Sequence, residues 1–158
     1  MTEQNTDVTI FEEMMNKTFS EVAHFSSDER FTEYLNRFGN YKSQYSTMGK
    51  TFRYLDSEDY LVFVEADLSA IHIFAHQREC CESVWLEDIT GDLNDLIGKP
   101  LLMAELVMED KDDYEKDLYE LWSFYKFATL KGNVTLRWIG NSNGYYSIDV
   151  NYFHFKKP

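Results

Sequence analysis

The residues of this 158-residue chain best suited to chemistry crowd into the stretch from His72 to Gly98: His72, His76, Cys80, Cys81, Glu82, Glu87, Asp88 and Asp92. Thiolate, imidazole and carboxylate are all ligands for divalent metals. Spacing weakens the simplest metal reading. A His-x3-His pair on a strand places both rings on one face but about 13 Å apart, from a rise of about 3.3 Å per residue. His76 with Cys80 or Cys81 is the better metal candidate, provided the chain turns at Gln77–Glu79, although the spacing matches no zinc signature. A second reading is nucleophilic catalysis, with Cys80 or Cys81 activated by His76 and oriented by Glu82 or Asp88. Against it, partners four or five residues apart rarely form such dyads, and the acidic surroundings raise a thiol's pKa. The third reading is structural and is preferred. Here Asp88 and Asp92 cap a short helix, Cys80 packs as a small hydrophobe, and His76 hydrogen-bonds to backbone. No catalytic residue and no cofactor is assigned; His76, Cys80, Cys81, Glu82 and Asp88 stand as candidates only.

Neighbouring cysteines do not make a disulfide framework. Joining them closes a strained eight-membered ring, so two free thiols are expected in a reducing compartment.

Positioning these groups falls to a set of short elements. A chain of this length fits a single domain, residues 1–158, and can bury a sizeable core. Hydrophobic residues at 44% and aromatics at 16% argue for a folded chain. Val8 to Asn16 reads as a short helix, and Ser27 to Phe38 as a second, with Ser27 as N-cap and Phe31, Leu35 and Phe38 on one face. Phe19, Val22 and Phe25 lie between them without a clear period. Asn40 to Ser57 reads as a long loop or weak hairpin. Strands then follow at Tyr60–Ala66, Ile71–His76, Val84–Ile89 and Leu101–Met108, with a turn or two of helix from Asp92 to Ile97 ended by Gly98.

The last third reads as a three-strand antiparallel meander: Leu121–Leu130, Val134–Gly140 and Tyr145–Phe155. The preferred register aligns Trp138 with Ile148, Leu136 with Val150, Val134 with Tyr152 and Arg137 with Asp149, with Gly144 taking a positive φ. The fold class expected is α+β: a largely antiparallel sheet with this C-terminal meander and two to four short helices.

Charge bounds the partners. The net charge is −13, and it is concentrated between Arg78 and Glu120, where 14 acidic side chains face 4 basic ones. This disfavours direct binding to nucleic acid or to anionic lipid. It allows an acidic surface that engages a protein with a basic nucleic-acid-binding groove. Glu109, Asp110, Asp112, Asp113, Glu115 and Asp117 are the candidate partner-binding residues. Their spacing and the missing glycine do not match an EF-hand loop. No apolar run approaches the about 18–20 residues that span a bilayer, and residues 1–7 lack the features of a signal peptide, so a cytoplasmic location is expected.

The block CCESVWLEDITGDLNDLIG at Cys80–Gly98 resembles a family of small uncharacterised proteins found mainly in bacteriophages and prophages. FYKFATLKGNVTLRW at 124–138, followed by SNGYYS at 142–147, resembles a second block of that family, and MNKTFSEV at 15–22 its opening segment. The departure lies at residues 26–59, which read as an insertion. The resemblance implies a phage origin and a host-cell location, and it brings no activity. With the acidity, it leads to the expectation of a non-enzymatic protein that binds and inhibits or redirects a host protein, such as a nucleic-acid-handling or defence enzyme. The alternatives are a small metal- or thiol-dependent enzyme using the His/Cys/Glu/Asp cluster, or an assembly role through self-association.

Overall fold

Two kinds of strand can be told apart by their pattern, and one kind lies at the centre of each sheet. YLVFVE and AIHIFA are near-continuous apolar runs, and in the computed structural model, which describes residues 12–38 and 56–156, every residue of both is buried. Such runs belong to strands covered on both faces. The strand YELWSFYKFAT alternates instead, burying every second residue from Leu121 onwards, as a strand covered on one face must.

In chain order the elements are β1 (Phe19–Phe25), α1 (Asp28–Asn36), β2 (Tyr60–Glu65), β3 (Ala70–Ala75), β4 (Ser83–Thr90), a 3₁₀ turn (Leu93–Leu96), β5 (Met103–Asp110), a second 3₁₀ turn (Tyr114–Lys116), β6 (Tyr119–Thr129), β7 (Gly132–Ser142) and β8 (Asn151–Lys156). The strands form two four-stranded antiparallel sheets, ordered β1-β2-β3-β8 and β4-β7-β6-β5. The protein is therefore largely antiparallel sheet with some helix.

The sheets share one core, in which Phe63 and Phe74 of the first meet Phe127 and Tyr125 of the second at ring separations of 5.1 to 5.9 Å. The outer face of the first sheet, with Val62, Ile73 and Phe153, is covered by Phe31 and Leu35 of α1. Ser27 caps α1 by accepting from the Arg30 N–H at 3.2 Å, as expected. Phe31 stacks on Tyr60 with ring centroids 4.1 Å apart, which pins the helix to β2.

The expected β2, β3, β4, β5, β6 and β7 are present with shifted ends. Two differences matter. Phe19, Val22 and Phe25 belong to a strand, β1, whose period is broken where the register shifts between Phe19 and Glu21; that irregularity hides it in the sequence. The larger correction concerns the C-terminus. The meander is β5-β6-β7, because β4 occupies the edge of β7 where the C-terminal strand was expected. Residues 143–150 instead cross to the other sheet, and β8 pairs with β3, setting Tyr152 against Phe74 rather than Val134. Arg137 consequently lies opposite Asp88 and Phe124, not Asp149.

Gly144 does take a positive φ, +98°, and a Cβ there would stand 2.5 Å from the Tyr119 ring. At Gly140 a Cβ would meet the Ile148 carbonyl oxygen at 2.5 Å, so glycine lets the crossing segment lie directly on β7. Of the first expected helix, residues 12–14 are helical, Met15 and Asn16 form a turn with Asn16 at φ +64°, and residues 8–11 lie outside the described residues. Residues 40–55 of the expected loop at 40–57, and with them most of the expected insertion after α1, also lie outside the described residues. No helix among the described residues is long and apolar enough to cross a membrane.

Candidate functional site

Alternation along β3 sends His72, Phe74 and His76 to the face between the sheets, and the neighbouring strands decide what each histidine meets. His72 lies opposite Phe63 on β2 and His154 on β8. Its Nε2 donates to Glu65 Oε2 at 2.6 Å, while Nδ1 is hydrogen-bonded to the Tyr152 hydroxyl at 2.5 Å. The His72 and His154 rings stack at 4.5 Å and 10°, and Phe19 meets His72 edge-on. The His154 Nδ1 sits 3.4 Å from Glu13 Oε2, and its Nε2 is buried without a hydrogen-bond partner.

Burial pushes Glu65 up, but the hydrogen bond and charge of His72, aided by Lys17 at 3.9 Å, outweigh it and hold the carboxyl below its usual value. Burial and then the adjacent His72 push His154 down to about 4. Burial and the charges of Glu13 and Glu65 raise the Tyr152 hydroxyl, keeping it protonated.

His76 stands in a separate network. Its Nε2 donates to Glu82 Oε2 at 2.8 Å and its Nδ1 to the Asp149 carbonyl at 2.7 Å. Both partners only accept, so both ring nitrogens stand as donor positions. Glu82, 1% exposed, also accepts the N–H groups of Glu79 and Cys80 at 2.9 Å. Burial would raise its pKa, yet those two N–H groups and His76 together bring it down to about 2. This carboxylate curls the chain between β3 and β4 and ties it to the start of β8, with Gln77 N–H donating to Asn151 Oδ1 at 2.8 Å.

The cysteines are at the tip of that turn. Both are exposed, and they are joined as a vicinal disulfide, against the expectation of free thiols with one buried. The Glu82 carboxylate gathers the backbone on its inner side, leaving the sulfurs outermost. With both His76 nitrogens engaged elsewhere, neither the Cys–His dyad nor the His76–Cys80–Cys81 metal set is assembled. Asp88 is also apart: it is exposed, faces Arg137, and accepts from the Thr90 hydroxyl at 2.8 Å. Asp92, not Asp88, caps the short helical turn by accepting from Asn94 N–H at 2.9 Å. Glu87 accepts from the Trp85 indole N–H at 2.7 Å on the exposed side of β4.

On the other side of the crossing segment lies an open groove of about 500 Å³. Its walls carry Asp110 and Asp112 from the end of β5, Tyr119 from the start of β6, and Tyr145, Tyr146 and Asp149 from the crossing segment. Among the described residues, no Lys or Arg lines it. Tyr145 is 81% exposed. Of the acidic residues singled out in the sequence, Asp110 and Asp112 reach the groove. Glu109 is paired with Lys111 at 3.2 Å, while Asp113, Glu115 and Asp117 belong to the hairpin tip around the second 3₁₀ turn. Asp149 links the two regions, since its carbonyl holds His76 and its side chain faces the groove.

Glu65, Tyr152 and His154 have no counterpart among the expected site residues. The available signal was the period-two placement of Tyr152 and His154 in the final strand, matching that of His72 and His76. Only the β3–β8 pairing shows that these patterns face one another. No curated protein and no solved structure matches the chain. Its residues 12–152 match the family described as Domain of unknown function (DUF7448), and the chain belongs to that family.

Proposed function

We propose that this protein is a non-enzymatic interaction protein that seats a basic segment of a partner protein in the groove between the β5–β6 hairpin and the crossing segment 143–149. The observation that carries the reading is the lining: three aspartates and three tyrosines, without a cationic side chain among the described residues. Carboxylates supply charge attraction and exposed tyrosine faces supply cation–π contact, so an Arg or Lys side chain fits both. Tyr119 and the crossing segment are fixed by the packing at Gly140 and Gly144, so the walls are largely preformed.

In this reading the His76–Glu82 turn is architectural. It anchors Asp149 and leaves the disulfide outside. The acidity of the groove and of the chain, at −13 overall, favours a partner whose own function requires a basic surface, such as one that handles nucleic acid. The resemblance to phage-encoded proteins makes a bacterial host protein the natural partner, to be inhibited or redirected by occupation of that surface.

The test is capture from bacterial lysate on the immobilised full chain, beside the variant D110N/D112N/D149N. The expected result is a basic partner retained at low salt, released at high salt and absent from the variant. Equal retention by the variant, or no salt-sensitive partner, would overturn the reading.

A further inference from the structure

The interior of the first sheet contains a set of groups that a partner-binding role does not use. Glu65 at the end of β2, His72 on β3 and His154 on β8 form a row across three neighbouring strands, with side-chain exposures of 8%, 0% and 3%. One ligand atom from each lies within 4.8 Å of the other two. Every other inward position near this row that could be apolar is apolar, including Phe19, Phe63 and Phe74. Two histidines and a carboxylate in such a place need a reason, because a phenylalanine would pack without any polar demand.

The hydrogen bonds sort the ring nitrogens. Each Nδ1 has an outer partner, Tyr152 for His72 and Glu13 for His154. Each Nε2 is then left for the cluster: that of His72 meets Glu65, and that of His154 has no partner at all. Metal-binding histidines are held in this way, with the second nitrogen fixed by a hydroxyl or carboxylate that sets tautomer and ring orientation. Charge points the same way. Lys17 stands 3.9 Å from the Glu65 carboxylate, and among the described residues no Lys or Arg pairs with Glu13, which leaves room for a cation.

We propose that Glu65, His72 and His154 bind one divalent transition-metal ion, zinc being the best fit, with Tyr152 and Glu13 as orienting partners. Imidazole and carboxylate without thiolate suit Zn²⁺, Fe²⁺ or Mn²⁺, and three protein ligands leave a fourth position for water or another small ligand. Zinc–ligand bonds of about 2.0–2.2 Å put neighbouring ligand atoms about 3.3 Å apart, so the cluster contracts on binding. The His72 proton that now faces Glu65 moves to Nδ1, which donates to the Tyr152 hydroxyl, and the parallel stack of the two rings opens as both Nε2 atoms turn to the ion. Binding weakens as pH falls, because protons compete with the ion for the imidazole and carboxylate ligands. This site is separate from the groove, and its existence does not depend on the interaction reading.

The full chain, tag-free and stripped of metal, is titrated with Co²⁺ followed by visible absorption and with Zn²⁺ followed by calorimetry. The expected result is a single site saturating at one equivalent, with a melting temperature raised by Zn²⁺. His154→Gln, which removes no existing hydrogen bond of Nε2, should keep the circular dichroism of the fold and lose at least about 100-fold in affinity. Glu13→Gln, at a partly exposed carboxylate, should lose about 10-fold, and the double variant Cys80→Ser/Cys81→Ser should bind as the unaltered chain does. No saturable binding by the unaltered chain overturns the proposal. So does binding that persists in His154→Gln, or that vanishes only with the cysteines. A positive result here together with a failed lysate capture would remove the interaction reading and leave the metal site standing.

Discussion

At the scale of single residues, the most informative side chain is Glu82. It is buried, it accepts from two backbone N–H groups, and it faces a histidine whose ring nitrogens both stand as donor positions. Replacing it with glutamine keeps the shape and removes the charge, and each charge-assisted hydrogen bond weakens. Glu82→Gln is expected to cost about 1–3 kcal/mol in denaturant unfolding at neutral pH. The pH dependence follows from its lowered pKa. A carboxyl held at about 2 in the folded state and at about 4.3 when unfolded contributes stability that is complete above the unfolded value. That contribution is lost as pH falls from about 5 towards 2. Unfolding curves collected through this window should be steeper in pH for the unaltered chain than for Glu82→Gln, and equal slopes would show that the carboxylate is not held this way. The exposed Asp88, with an intrastrand hydroxyl as its hydrogen-bond donor, serves as the contrast: Asp88→Asn should change stability by less than about 0.5 kcal/mol.

Among the elements, the crossing segment between β7 and β8 carries the groove, and its path depends on glycine. Gly144 has φ +98° with the Tyr119 ring where a Cβ would stand, so Gly144→Ala strains the backbone and displaces a groove wall together. A loss of about 1–3 kcal/mol is expected, along with weakened capture of the basic partner; stability and binding both unchanged would mean that the turn can adopt another conformation. The contact between sheets depends on aromatic packing. Phe63, fully buried, touches Phe19, Phe74 and Phe127 at 5.1 to 5.8 Å between ring centroids. Phe63→Ala should cost about 3–5 kcal/mol in the same unfolding measurement, because the void is walled by two sheets that cannot both relax into it.

For the whole molecule, the two sheets and the covering helix α1 place two chemically different regions at opposite ends of β3 and β8. A buried His/Glu cluster lies at one end of the row, and a turn with an acidic groove behind it lies at the other. The −13 charge acts at this scale. Binding to a basic partner should fall steadily as salt rises through the range in which the Debye length drops from about 10 Å to about 3 Å, measured by titration at fixed temperature. Affinity independent of salt would mean that the tyrosines, not the aspartates, dominate recognition.

Local chemistry made much of this legible in the sequence. Ser27 read as a cap, Gly144 as the residue for the positive φ, and YLVFVE as a strand from its β-forming side chains, because these are constraints between neighbouring residues. The His72–Gly98 block was likewise recognisable as a strand, a turn and a short capped helix. Which histidine meets which partner was not legible. His72 and His76 share a face by the period of β3 alone, but their partners come from β2, β8 and the 143–149 segment, far away in the chain. The expected β7–β8 pairing satisfied every local rule of alternation and charge, and it failed because β4 occupies that edge of β7. Edge occupancy is a property of the assembled sheet. The sequence by itself therefore determined most of the elements and the acidity, while the tertiary structure decided that Phe19–Phe25 is a strand, that the histidines divide into two networks and that His154 stands beside His72.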